Sequence, residues 1–174
     1  NESVILKLLS QEYPSPASLA TYRLEYEITK KLSHIPGVIQ VKGIEKYQNT
    51  LVIIFEDFGG ESLRSWQQQC PFTLEEVLTI GIKIANTLEE IHNCHVIHKD
   101  INPSNIVWHP STNTLKLIDF GIATQLSAER PTFNNANILE GTLSYISPEQ
   151  TGRMNRNLDY RTDFYSLGVT LFEL

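Results

Sequence analysis

The sequence predicts an α+β fold of two lobes with a cleft between them. Strand-like stretches rich in β-branched residues dominate up to Asp57, and helical periodicity dominates after Gly60. Between them, Asp57-Phe58-Gly59-Gly60 reads as a flexible hinge, and a junction of this kind is where ligand clefts form. In order, "SVILKLL" reads as a strand. Residues 18–33 read as an amphipathic helix entered through Ser15, Pro16 and Ser18 and broken by Pro36-Gly37. "VIQVKGIEKY" and "LVIIFED" read as strands joined in a hairpin at Gln48-Asn49-Thr50. Residues 61–69 read as a short helix, and Thr73-Leu-Glu-Glu76 as a capping box opening a long helix to about His92. That helix is apolar on most sides (Leu74, Val77, Leu78, Ile82, Ile84, Leu88, Ile91), which predicts that it is buried. "NIVW" and "LKLI" read as short strands around the turn "HPSTN", and a last helix starts near Asp159.

Bulk properties exclude several function classes. A chain of 174 residues suits one ordinary domain, and 41% hydrophobic with 20% charged residues is the balance of a soluble globular protein. The net charge of −6 argues against a nucleic-acid partner, because phosphate neutralisation needs clustered Lys and Arg. Cys70 and Cys94 alone make no disulfide framework, so the expected compartment is the reducing cytoplasm. The longest apolar run, "LVIIF", is far too short for a membrane segment. The chain begins at Asn1 and stops at "LFEL" within an apolar helical pattern, so both ends read as cut and the chain as a fragment.

The stretch from His92 to Asn105, "HNCHVIHKDINPSN", offers two chemistries. His92, His95 and His98 with Cys94 look like metal ligands, but a step of three drifts around a helix, whereas paired zinc ligands sit at i and i+4. The alternative is a loop that works through Asp100 and Asn105. Four pieces in fixed order favour the loop: "VILK" on a strand, "HKDINPSN", "IDFG" and "GTLSYISPE". This set, in register with the expected strands and helices, resembles a protein kinase catalytic domain from Val4 to the end.

The resemblance implies a two-lobed protein-kinase-like fold. Residues 1–57 would be a partial N-lobe without its glycine-rich loop, and 58–174 a partial C-lobe without its last helices. It implies ATP-dependent transfer of the γ-phosphoryl group to Ser/Thr hydroxyls of protein substrates, with Mg2+ as the cofactor ion. Such transfer needs charge neutralisation and alignment more than covalent help. Lys7 would pair with the α and β phosphates, steadied by an acid on the following helix. Glu25 shares a stripe with Ile28 and Leu32, hence the inward face, whereas Glu27 lies about 200° around the helix and suits an outward pair with Lys31. Glu25 is therefore preferred. Asp100 stands where the family places its catalytic base, and Asn105 and Asp119 where it places hard oxygen ligands for magnesium. His98 would support the loop from beneath Phe120, with Cys94 a small buried filler. The main-chain atoms of Glu56 and Phe58 would bind adenine, with Phe55 behind them and Ile5 and Val107 sandwiching the ring. Thr142 resembles the threonine that marks Ser/Thr-directed kinases, at the substrate site. Asp163 resembles the buried aspartate that holds the catalytic loop. Glu149 resembles a glutamate that pairs with an arginine farther along; that arginine would lie beyond Leu174, leaving Glu149 without a partner.

Three residues depart from the family pattern. Lys99 replaces an arginine, keeping the charge but losing the bidentate fork that reads a phosphorylated loop. Candidate phosphoacceptors are Thr124, Ser127, Thr132 and Ser144. Asn102 replaces a lysine that usually touches the γ phosphate, and removes one cation from the transition-state cage. Ile5 replaces a small alanine and should narrow the adenine slot. The wording "HKDINPSN…EGTLSYISPEQTGRMNR" further resembles kinase domains at the front of large bacterial, often cyanobacterial, signalling proteins, which implies further signalling domains in the parent chain. Two rival readings remain open. One is a pseudokinase that only binds partners, favoured by Asn102. The other is a small-molecule phosphotransferase of the aminoglycoside or choline type, disfavoured by "GTLSYISPE" and "DFYSLG".

Overall fold

The computed structural model describes residues 2–9, 13–126, 141–152 and 158–174. Ser127 and Thr132 lie outside the described residues. The first part consists of β1 (Val4–Leu8), α1 (Pro16–Lys31), β2 (Val41–Tyr47) and β3 (Thr50–Glu56). The strands form an antiparallel sheet in the order β1-β3-β2. Helix α1 starts where its cap dictates: the Ser15 hydroxyl accepts the Ser18 N–H at 3.1 Å, and Pro16 occupies the first turn, where no N–H is needed. Lys30 and Lys31 in the last turn complement the helix dipole. The β2–β3 hairpin is tight, with Tyr47 opposite Thr50 and Gln48 at φ +51°.

The second part contains β4 (Glu61–Ser62), α2 (Leu63–Gln69), α3 (Leu74–Asn93), β5 (Val96–Ile97), β6 (Ile106–His109), β7 (Thr114–Leu117), β8 (Thr124–Gln125) and α4 (Arg161–Glu173). Strands β4, β6 and β7 form a small antiparallel sheet, and β5 pairs with β8. The single helix expected over 61–69 is corrected here: Glu61 and Ser62 pair with Trp108 and Val107, and the Ser62 hydroxyl then caps α2 at Ser65. The capping box of α3 is complete, with Thr73 and Glu76 each accepting the other's N–H.

Helix α3 is not buried all round. Ile80, Ile84, Leu88 and Ile91 are fully covered, whereas Leu74, Leu78 and Ile82 are 75%, 58% and 63% exposed. The apolar letters form two rows with steps of three or four, and the described neighbours cover only one of them.

Two apolar clusters result. The smaller centres on Tyr22, Ile39, Ile53 and Phe55. The larger joins Ile28, Leu32, Ile35 and Val38, from α1 and the segment after it, to α3, β6, β7 and Leu167 of α4. The segment after α1 is stitched to β7 by the backbone: Leu117 N donates to Gly37 O at 2.7 Å, and Ile39 N to Leu117 O at 3.0 Å. Gly37 also lets this segment lie tightly against α3, since a Cβ there would lie 1.9 Å from Thr87 Oγ1. Gly37→Ala is therefore expected to destabilise the fold by about 1–3 kcal/mol through overpacking. Thr87→Gly, which removes the obstructing atoms, should recover part of the loss in a chemical-denaturation series on the double variant.

Candidate active site

The site is assembled around two carboxylates and a lysine. Strand β1 presents Lys7, whose Nζ donates to Glu25 Oε1 at 2.7 Å and to Asp119 Oδ1 at 2.9 Å. Glu25 is 3% exposed, and Glu27 faces solvent on the other side of α1. Burial works against the Lys7 ammonium, but Glu25 and Asp119 outweigh it and raise the group above its ordinary value. For Glu25 burial prevails over Lys7, and the carboxyl is pushed up. For Asp119 burial is overcome by Lys7 and by the Gly121 amide, so this carboxyl is held low and ionised. The two partners of Lys7 thus differ: the more enclosed acid is the weaker one.

Asp119 follows β7 at φ +62°, a conformation that aspartate tolerates better than most residues. Its Oδ1 accepts the Gly121 N–H at 3.2 Å. A Cβ at Gly121 would sit 3.0 Å from that oxygen and 3.5 Å from Glu25 Oε2, so glycine keeps the passage between the two acids open.

Asp100 is fixed by four donors. Its Oδ1 accepts the Thr142 N–H at 3.0 Å, the Thr142 hydroxyl at 2.8 Å and the Asn102 amide at 3.1 Å; its Oδ2 accepts the Asn105 amide at 2.9 Å. Asn102 is buried, and its carbonyl oxygen accepts the Ser104 N–H at 2.9 Å. The neutral amide thus occupies the place beside Asp100 and Thr142 without supplying a charge. Asn105 donates through its nitrogen, so Oδ1 is the atom it can offer a cation. Asn105 Oδ1 and the Asp119 carboxylate are hard oxygen donors, the chemistry that would suit magnesium.

The support beneath is buried. His98 is fully enclosed, with its ring centroid 4.7 Å from that of Phe120. Its Nδ1 accepts the Asp100 N–H and its Nε2 faces Ile118 O at 3.1 Å, which together assign the Nε2–H tautomer. Asp163 of α4 accepts the backbone N–H groups of His98 at 2.9 Å and Lys99 at 2.8 Å. Lys99 is buried at φ +68°, and its carbonyl accepts the Gln150 amide at 2.9 Å. Glu149 is corrected: its Oε1 accepts the Thr162 hydroxyl at 3.1 Å, because the first turn of α4 packs directly against the Ser147–Glu149 segment.

At the hinge, Glu56 Oε1 accepts the Gln40 N–H at 2.8 Å and pairs with Lys116 Nζ at 2.5 Å. That ammonium also lies 5.6 Å from the Phe58 ring centroid. Val107 stands opposite Lys116 in the β6–β7 register, and Ile5 is half exposed on β1. Phe55 is buried in the smaller cluster. A cavity of about 450 Å³ lies between β1 and α1 and reaches the ion pair, lined by Lys7, Leu8, Leu9, Ser18, Thr21, Tyr22 and Glu25.

Sequence reasoning missed several of these partners. Lys116 was legible only as a charged letter in an apolar strand. His92, weighed as a metal ligand, instead places Nε2 2.8 Å from Asp163 Oδ2. Cys94 is half-buried rather than a buried filler, with Sγ 3.9 Å from His34 Nε2, because it caps the exposed end of α3. Among the described residues no group of three or more His, Cys, Asp or Glu side chains could hold a metal ion by itself. Arg64, Tyr145 and Glu173 form a cluster joining α2, the "GTLSY" segment and α4, with Arg64 Nη1 2.6 Å from Glu173 Oε1. It had no sequence signal, since its members lie far apart in the chain.

The chain is 31% identical over its whole length to a probable serine/threonine-protein kinase of Clostridium perfringens, and covers 25% of that protein. It is 29% identical to the serine/threonine-protein kinase PrkC of Bacillus subtilis, again over the whole chain and 26% of the relative. The chain thus spans about a quarter of the length of these curated relatives. Among solved structures, the kinase PK-1 of the Cydia pomonella granulovirus superposes with a TM-score of 0.76 over 99% of this chain and 59% of that one, at 18% identity, which shows the two-lobed fold. The protein kinase domain family matches residues 1–174, and the chain belongs to that family.

Proposed function

We propose that this chain is the catalytic core of a Ser/Thr protein kinase that transfers the γ-phosphoryl group of ATP to protein hydroxyls. The observation that carries the reading is the Lys7 ammonium held between Glu25 and Asp119, together with an Asp100 carboxylate braced by Thr142, Asn102 and Asn105. Residues 1–57 form the small lobe and 58–174 the large one, with adenine at the main chain of Glu56 and Phe58 between Ile5 and Val107. Lys7 orients the α and β phosphates. Asp100 receives the proton of the accepting hydroxyl, which Thr142 adjoins, and His98, Phe120, Glu149 and Asp163 keep the loops in place. Asn105 and Asp119 would hold Mg2+, which when bound neutralises phosphate charge.

The test is phosphate transfer from labelled ATP to a panel of proteins, using the full-length protein. Phosphoserine or phosphothreonine in the product supports the reading. Nucleotide binding without transfer would favour a pseudokinase, and transfer only to small amino-alcohols or aminoglycosides would favour a small-molecule phosphotransferase.

One further outcome concerns Asn102. A neutral amide in place of a cation leaves the transferring group short of one charge, so Asn102→Lys is expected to raise kcat by up to about tenfold, equivalent to about 1.4 kcal/mol. An unchanged or lower rate, measured at saturating substrate, would show that loss of the Ser104 cap outweighs the added charge.

A further inference from the structure

Helix α1 is joined to β1 by two side chains, and only one of them belongs to the ion pair. Glu25 reaches Lys7 Nζ, and one turn earlier the Tyr22 hydroxyl donates to the main-chain carbonyl of the same residue, Lys7. Among the described residues these are the two hydrogen-bond links between α1 and β1.

They are mechanically different. Lys7 carries its charge on a flexible four-carbon stem and its side chain is about one-third exposed, so the ion pair can form over a range of helix positions. Tyr22 is a rigid ring with two torsions, 4% exposed and packed among Ile39, Ile53 and Phe55. Its acceptor is backbone, at the rung where Lys7 faces Ile53 in the β1–β3 ladder. A three-residue step puts Tyr22 and Glu25 on one face of α1.

We propose that Tyr22 is a positioning residue whose phenol, anchored on the Lys7 carbonyl, sets the depth and rotation of α1 and thereby holds Glu25 in reach of the Lys7 ammonium. This deepens the kinase reading and rests on it for the role of Lys7 in phosphate binding. Burial, and then the Glu25 carboxylate, keep the phenol above its ordinary pKa, so it remains a donor through the working pH range.

The test is Tyr22→Phe in the full-length protein, alone and combined with Glu25→Gln. Phenylalanine keeps the ring in its cluster and removes the hydroxyl, with its bond to the Lys7 carbonyl and its contact with the Ile53 amide. The expected result is a melting temperature within about 2 °C of wild type, faster hydrogen exchange in the middle of α1, and kcat lowered about fivefold for the loss of one net hydrogen bond. In the Glu25→Gln background the same substitution should lower kcat less than about twofold, because the two residues act through one arrangement. Unchanged exchange in α1, or an undiminished fivefold loss in the Glu25→Gln background, would overturn the assignment. So would a fall in melting temperature large enough to account for the rate, since Tyr22 would then be a core residue only. Exchange and melting need no phosphate transfer. Faster α1 exchange in a protein that transfers no phosphate would support the anchor and overturn the kinase reading.

Discussion

Asp100→Asn is expected to lower kcat by about 10²–10⁴-fold in the full-length protein, with KM for ATP changed little. Its carboxylate is the group next to Thr142 that can take a proton, and every neighbour on it is a donor: Thr142 N–H and O–H, the Asn102 amide and the Asn105 amide. An asparagine has the same shape but carries no charge and must point its NH2 at one of those donors. If the amide oxygen stays on Asn105, the Thr142 N–H loses its acceptor, and the alignment of the accepting hydroxyl suffers along with the base. Nucleotide affinity should be spared, because the proposed function gives the phosphate and metal contacts to Lys7, Asn105 and Asp119. Asp119→Asn should show the reverse emphasis, a raised KM for magnesium-ATP. Steady-state kinetics on both variants separate the roles, and wild-type turnover in Asp100→Asn would remove Asp100 from the mechanism.

The largest loss of stability is expected from Asp163→Ala. Asp163 is completely buried and satisfies two backbone N–H groups, those of His98 and Lys99, as well as His92 Nε2. Removing the acceptor strands buried donors at about 1–3 kcal/mol each, and breaking a buried charged network of this kind costs about 3–5 kcal/mol in total. At about 2–4 °C per kcal/mol for a domain of this size, the melting temperature should fall by roughly 6–20 °C. The loss also reaches the chemistry, because the same two amides hold Lys99 at positive φ immediately before Asp100. Asp163→Asn, which keeps the shape and one acceptor, should fall between wild type and Asp163→Ala. Calorimetry of the three proteins would show it, and a melting temperature unchanged in Asp163→Ala would mean that water or a rearranged loop replaces the carboxylate.

What the sequence determined on its own is local or carried by motif. The cap at Ser15, the box at Thr73 and Glu76, and the inward stripe of Glu25 with Ile28 and Leu32 are set by residues within a few positions of each other, where backbone geometry alone decides who meets whom. The order of "VILK", "HKDINPSN", "IDFG" and "GTLSYISPE" pointed to the family because each segment has a chemical duty that few other residue types perform. The tertiary structure alone decided what crosses between elements. It set Lys116 under Glu56, made His92 a partner of Asp163 rather than a metal ligand, gave Glu149 the Thr162 hydroxyl, and joined Gly37 to Leu117. It also decided that α3 buries Ile80, Ile84, Leu88 and Ile91 while Leu74, Leu78 and Ile82 face outward. Periodicity states which side chains share a face, but which face is covered depends on neighbours that arrive from distant parts of the chain, and a buried polar group takes whichever partner that packing brings within hydrogen-bond reach.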